Sequence, residues 1–208
     1  MAYNAAMARR KPRVIGFVGA PSTGKTTLAR AVANEAGLRG LSVEFVAEYA
    51  RTYIQRVGGV SSVFDQLLIF DAQARREDDA IGTGADLVVA ETPTFIGYAF
   101  GLAMMGGRRP AAREAEALEV LHRWIRRRVA VYDIVYYLPV ELPLQRDGTR
   151  LETERVRRDL DAKLKATLDL WVPYRAVTGA FKDRIKAVLE AERLPGRGLE
   201  LGRTRGKT

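Results

Sequence analysis

The sequence predicts a three-layer α/β fold, a mainly parallel five-stranded sheet with helices on both faces. Three observations carry that reading. Short apolar runs alternate with amphipathic stretches from Arg13 to Ala191, and a glycine-rich turn joins the first run to the first amphipathic stretch. The chain has 208 residues, 47% hydrophobic and 28% charged, which is enough to bury a core and excludes wholesale disorder. Alternating strand and helix implies a parallel sheet covered on both sides, with ligands outside the carboxyl ends of the strands.

The elements follow in order. Arg13 to Val18 is a short apolar run, a buried strand, and Lys25 to Ala36 has helical spacing through Leu28, Val32 and Ala36 before Gly37. Ser42 to Val46 reads as a second strand. Ser62 suits a helix cap, with Phe64, Leu67, Leu68 and Ala72 recurring at three and four as the apolar positions. Asp86 to Ala90 is a third strand and ends at Glu91. Pro110 to Arg128 is helical, with Leu118, Leu121, Ile125 and Val129 on one stripe. Asp133 to Leu138, Glu152 to Leu170, Arg175 to Val177 and Ala180 to Ala191 complete the pattern as strand, helix, strand and helix. One domain over residues 13–192 is expected, with a lid near 143–158 between flexible basic ends at 1–12 and 193–208.

Composition removes several chemistries. There is no cysteine, so disulfides, zinc ribbons, iron–sulfur sites and a cysteine nucleophile are excluded, and a lone His122 argues against histidine-based triads and metal sites. The longest charge-free central run, Thr92 to Gly107, is 16 residues with Pro93 and four glycines, whereas a spanning helix needs about 20 apolar residues. Arg9, Arg10 and Lys11 precede no cleavage site. No signal peptide and a cytoplasmic location are therefore expected.

The formal net charge is +9, and residues 1–13 and 193–208 carry +4 each, leaving a nearly neutral body. Basic arms on a neutral body suit a polyanion such as DNA, and they also suit plain solvated tails. Arginine outnumbers lysine 27 to 7, which fits phosphate recognition and equally fits a GC-rich genome.

The strongest signal is Gly19-Ala20-Pro21-Ser22-Thr23-Gly24-Lys25-Thr26, a G-x-x-x-x-G-K-T loop between a buried strand and a helix, followed by Thr27. Glycines let the backbone approach phosphates, and successive N–H groups at a helix N-terminus attract anionic oxygens. Lys25 is the group for the terminal phosphates and the Thr26 hydroxyl is a Mg²⁺ ligand. Glu91, at the end of an apolar strand, is the second metal acid; it also fits a solvated strand-end carboxylate.

Two further clusters stand out. In Glu48-Tyr49-Ala50-Arg51-Thr52-Tyr53, past the second strand, Glu48 is a candidate to take a hydroxyl proton. Arg51 and Tyr53 are candidates to grip a phosphate or stack on a ring. The competing reading of Glu48 is an acid favoured by a helix N-terminus. In Gln145-Arg146-Asp147-Gly148-Thr149-Arg150, Asp-Gly makes a turn, and arginines there suit a lid over a transferring phosphate. Arg146 and Arg150 are the functional candidates. Arg155, Arg157 and Arg158 interleave with Glu152 and Glu154 as a salt-bridged helix would.

Taken together, GAPSTGKTTLA, EYARTY, FDQLLIFDAQ, VVAET and RDGTR resemble the ribosylnicotinamide-kinase-like P-loop family, which is related to thymidylate kinase and has many phage members. The resemblance covers residues 13–190. It implies a P-loop NTPase fold, Mg-ATP as donor, a hydroxyl on a nucleoside-like acceptor, and a mobile lid carrying Arg150. It also places Gln73, the last residue of the third motif, in the acceptor site. Two departures stand out: Glu91 replaces the expected aspartate, and Pro93 stands where a second acid is expected.

Some phage kinases of this broad group phosphorylate 5-hydroxymethyluracil within DNA. The basic arms and the arginine-rich helix (Arg108, Arg109, Arg113, Arg123, Arg126, Arg127, Arg128) make that acceptor the leading expectation. A free nucleoside kinase and a DNA-stimulated ATPase are the alternatives. A DNA base would have to be unstacked, with Tyr49, Tyr53, Phe95 and Tyr98 as candidate stacking partners. Trp124 and Trp171 read as core, and His122 as a helix surface residue.

Overall fold

The computed structural model describes residues 11–145 and 153–194. Most of both basic ends and the segment carrying Arg146 and Arg150 lie outside the described residues.

Five strands form one parallel sheet in the order β2-β3-β1-β4-β5. They are β1 (Arg13–Val18), β2 (Val43–Val46), β3 (Leu87–Ala90), β4 (Ile134–Tyr137) and β5 (Tyr174–Ala176). In register, Ile15 pairs with Val89 on one side and with Ile134 on the other. The helices are α1 (Lys25–Leu38), α2 (Tyr49–Val57), α3 (Val63–Gly82), α4 (Gly97–Met104), α5 (Ala112–Arg128), α6 (Glu154–Trp171) and α7 (Phe181–Ala191). Single 3-10 turns at Thr94–Ile96 and Val129–Val131 complete the path.

Period-two alternation divides the core into two layers. Ile15, Phe17, Val89 and Tyr136 pack with Leu28, Val32 and Val188 of α1 and α7. Val14, Val18, Val88 and Val135 face α3 to α6, packing with Phe70, Leu121, Ile125, Leu160 and Leu164. Gly16 stands in β1 because Pro93 crosses directly over it: a Cβ there would lie 2.5 Å from Pro93 Cγ. That contact presses the segment after β3 against the sheet.

The expected strands and long helices are present with ends shifted by one or two residues. Two helices are additional: α2, which has no buried residue, and α4. The stripe expected for α3 is corrected. Phe64 and Leu68 are 45% and 59% exposed, and the helix buries Val63, Gln66, Phe70, Gln73 and Glu77 instead. Its N-terminus is capped by Asp65, which accepts from the Ser61 and Ser62 amides at 2.8 Å each.

Candidate active site

Because every strand is parallel, every loop leaving a carboxyl end emerges on the same side. Residues 19–24 follow β1, Glu48 follows β2, Glu91 follows β3, Leu138–Leu142 follow β4 and Val177–Gly179 follow β5. One end of the sheet thus collects the loop and acids that the sequence marks.

Gly24 caps α1 with φ 87°, a left-handed conformation that glycine adopts without steric cost, and its carbonyl accepts from the Leu28 amide at 2.9 Å. The Lys25 ammonium lies back over the loop, donating to the carbonyls of Gly19 at 2.6 Å and Ala20 at 3.0 Å. Thr23 is fully buried and ties its hydroxyl to the Ala20 carbonyl at 2.9 Å. The loop is therefore shaped by its own bonds, with the helix N-terminus behind it.

The Thr26 hydroxyl donates to Oε1 of Glu91. Oε2 of Glu91 receives the backbone amide of Glu48 at 3.4 Å. Glu91 thus bridges the phosphate loop and the start of α2. A threonine hydroxyl and a carboxylate in contact are hard oxygen donors that fit two positions of a magnesium shell, whose remaining positions suit phosphate and water. Among the described residues there is no group of three or more His, Cys, Asp or Glu that could hold a metal.

Beside these acids opens a cavity of ≈ 460 Å³. Its walls are mostly apolar (Ile54, Ile69, Phe100, Met104 and Leu160 among them), with Glu48, Gln66, Gln73, Thr92 and Thr94 as polar members. Gln73 Oε1 accepts from the Tyr49 amide at 2.8 Å, which fixes the side-chain amide and leaves Nε2 buried without a partner among the described residues. Glu48 is buried at the N-terminus of α2 and pairs with Arg51 at 3.1 Å. Glu48 is thus a helix-end acid that also lines the cavity.

Other expected contacts are corrected. Phe95 is 0% exposed and packs edge-on against Tyr132 in the core, with ring centroids 5.3 Å apart. Tyr49 stacks under the Arg76 guanidinium, Tyr53 donates to Asp65 at 2.6 Å, and neither lines the cavity. Arg51 turns to Glu48 rather than into the cavity. Tyr98 joins His122 and Trp171 in a cluster of rings 5.0–5.6 Å apart, so His122 is part of that packing rather than a bare surface residue. Trp124 is 38% exposed and lies against Phe70. Arg108 is committed to Glu114, and Arg128 to Glu77 and Asp78.

Arg184 and Asp161 escape sequence reasoning, while Arg157, expected in a salt-bridged helix and paired with Glu154 at 3.3 Å, also reaches the phosphate loop. Arg157 is buried and donates to the carbonyls of Leu142 at 2.8 Å and Ser22 at 3.3 Å. Arg184 is buried and donates to the Thr23 carbonyl at 2.9 Å, with Glu141 as its counter-charge at 2.7 Å. Two guanidinium groups thus hold successive carbonyls of the phosphate loop from outside. Asp161 accepts from the Tyr137 hydroxyl at 2.8 Å; burial pushes its carboxyl up, against the pull of Tyr137, the Ala20 amide, Arg157 and Lys25. Each of the three lies on the inward stripe of α6 or α7, where a polar residue is the available signal.

The segment 91–94 is braced from below. The Thr94 amide donates to Glu77 at 3.0 Å and to the Tyr132 hydroxyl at 2.8 Å, and Tyr132 donates to Glu77 at 2.6 Å. Burial pushes the Glu77 carboxyl up, while Thr94, Tyr132 and Arg128 hold it down. Arg128 supplies the counter-charge at 2.9 Å. Arg128→Leu strands that carboxylate in the core and is expected to cost about 3–5 kcal/mol of stability, read by urea denaturation.

No curated protein matches the sequence. Among solved structures, deoxyadenosine kinase from M. mycoides, with dCMP and dCDP bound, superposes with a TM-score of 0.64 at 13% identity over 86% of this chain and 98% of that one. The NadR protein in complex with NAD and AMP-PNP gives 0.66 at 20% identity over 88% of this chain. The NadR protein in complex with NR gives 0.62 at 18%. This chain spans about half of the NadR chain, 50% in the first of those complexes. At these identities the likeness is one of fold. The family described as AAA domain matches residues 14–184, and with its phosphate loop at the head of a five-stranded parallel sheet the chain belongs to that family.

Proposed function

We propose that the protein is an ATP-dependent phosphotransferase that moves the γ-phosphate to a hydroxyl of a nucleoside-like acceptor. The observation that carries this reading is Glu91, bonded to Thr26 of the phosphate loop on one side and to the Glu48 amide on the other. Through it the phosphate loop and a half-open, largely apolar cavity meet at one point. An ATPase that only hydrolyses has no need of a second compartment there. The fold likeness to a deoxyadenosine kinase, and to the NadR protein solved with NAD and AMP-PNP, supports the same reading.

In this scheme the backbone from Gly19 to Thr27 holds the triphosphate. Thr26 and Glu91 would hold Mg²⁺, and the bound ion would supply neutralisation of the phosphate charge. Lys25 swings from its loop carbonyls to the terminal phosphate. Glu48 accepts the proton of the attacking hydroxyl, its position fixed by the helix start and by Arg51. Gln73 meets the acceptor through Nε2. Arg146 and Arg150, the arginines that the sequence offers for the transferring phosphate, lie outside the described residues.

The narrower acceptor expected from the sequence, the hydroxymethyl group of 5-hydroxymethyluracil in DNA, rests on basic ends that lie mostly outside the described residues and on an arginine-rich helix whose Arg108 and Arg128 are paired with acids. The walled cavity favours a small free acceptor. Labelled γ-phosphate and Mg-ATP offered with free nucleosides, nicotinamide riboside and hydroxymethyluracil DNA discriminate these readings. Label is expected on a free nucleoside. Label on DNA alone assigns the polymer as acceptor, and DNA-stimulated hydrolysis without label transfer replaces the kinase with a nucleotide-driven switch.

A further inference from the structure

The cavity contains a polar demand that the scheme above leaves unmet. Thr92 is 8% exposed and lines the cavity, and its hydroxyl has no hydrogen-bond partner among the described residues. Gln73 Nε2, in the same wall and 4% exposed, has none either. A buried hydroxyl or amide left unpaired is costly to a fold, and a ligand that pairs with it recovers that loss. The orphaned Thr92 hydroxyl cannot be relieved by a shift of its backbone. Pro93 is pressed onto Gly16, and the Thr94 amide is held by Glu77 and Tyr132.

Its position says what kind of group it meets. Thr92 directly follows Glu91, whose carboxylate touches Thr26 at the phosphate loop. The part of an acceptor beside Thr92 is therefore the part that carries the attacking hydroxyl. Among the described residues lining the cavity, Glu48 is the single ionisable one, so nothing there calls for a phosphate or carboxylate partner. A threonine hydroxyl both donates and accepts, which matches an alcohol.

Resting on the kinase reading, we propose that Thr92 is a specificity-determining residue that binds a sugar hydroxyl of an uncharged nucleoside. Adenosine and cytidine, each with its 2′-deoxy and 3′-deoxy counterpart, are titrated calorimetrically against the full chain without ATP and then assayed as acceptors. Thr92→Val is expected to weaken the preferred nucleoside about tenfold, leave the ATP KM within about twofold, and be rescued by Thr92→Ser. Removing the sugar hydroxyl that Thr92 binds weakens the wild type by a similar factor and leaves Thr92→Val unaffected, a non-additivity that a packing role does not produce. Equal weakening of every nucleoside together with a lower melting temperature overturns the proposal, as does an unchanged Thr92→Val. Nucleoside binding with that non-additivity but without phosphate transfer keeps the Thr92 contact and rejects the kinase. No nucleoside binding with transfer to hydroxymethyluracil DNA rejects the contact and keeps the kinase.

Discussion

Lys25→Ala is expected to abolish phosphoryl transfer and to leave the fold standing. The ammonium is the side-chain cation carried by the phosphate loop itself, and it sits on the loop's own carbonyls rather than in the core. When a triphosphate occupies the loop, charge spread over the transferring oxygens draws the ammonium outward. Loss of one such charge in a shielded site costs about 10²–10³ in kcat, and more where it also orders the donor. Stability changes little, because α1 is anchored by buried Leu28, Val32 and Ala36. Label transfer and a melting curve on the same preparation check both halves, and full transfer by the variant removes the phosphate-loop assignment.

Glu48→Gln is expected to lower kcat by about 10²–10⁴ while ATP binding holds. The amide keeps the size of the side chain but cannot take a proton. The backbone amide of residue 48 still reaches Glu91, so the metal-side geometry persists. The lost ion pair with Arg51 involves a half-exposed guanidinium and contributes little to stability. Single-turnover rates against nucleotide affinity separate these effects. An unchanged rate places the proton acceptor elsewhere.

The sheet and its phosphate loop were legible in the sequence because apolar runs of four to six residues and the G-x-x-x-x-G-K-T spacing report directly on backbone geometry. The α2 segment was not, because an amphipathic helix that buries nothing gives no core pattern; its inward side faces the cavity through Ala50 and Ile54. The stripe of α3 fails at two of its four positions for a related reason. Phe64 and Leu68 are apolar yet exposed, whereas Gln66, Gln73 and Glu77 are polar yet buried, because that side of the helix walls a cavity and braces residue 94. Arg157 obeys the same rule, lying in phase with Leu160, Leu164 and Leu168 on the buried side of α6. A charged or amide residue in phase with a buried stripe was the overlooked signal. Phe95 shows the opposite error, an aromatic next to a site that belongs to the core.

The central claim is that the loop from Gly19 to Thr27 binds a nucleotide triphosphate. Calorimetric titration of the full chain with Mg-AMP-PNP tests it most directly. One site per chain, weakened at least about tenfold by Lys25→Ala, is the expected result. No saturable binding at about 1 mM nucleotide contradicts the account.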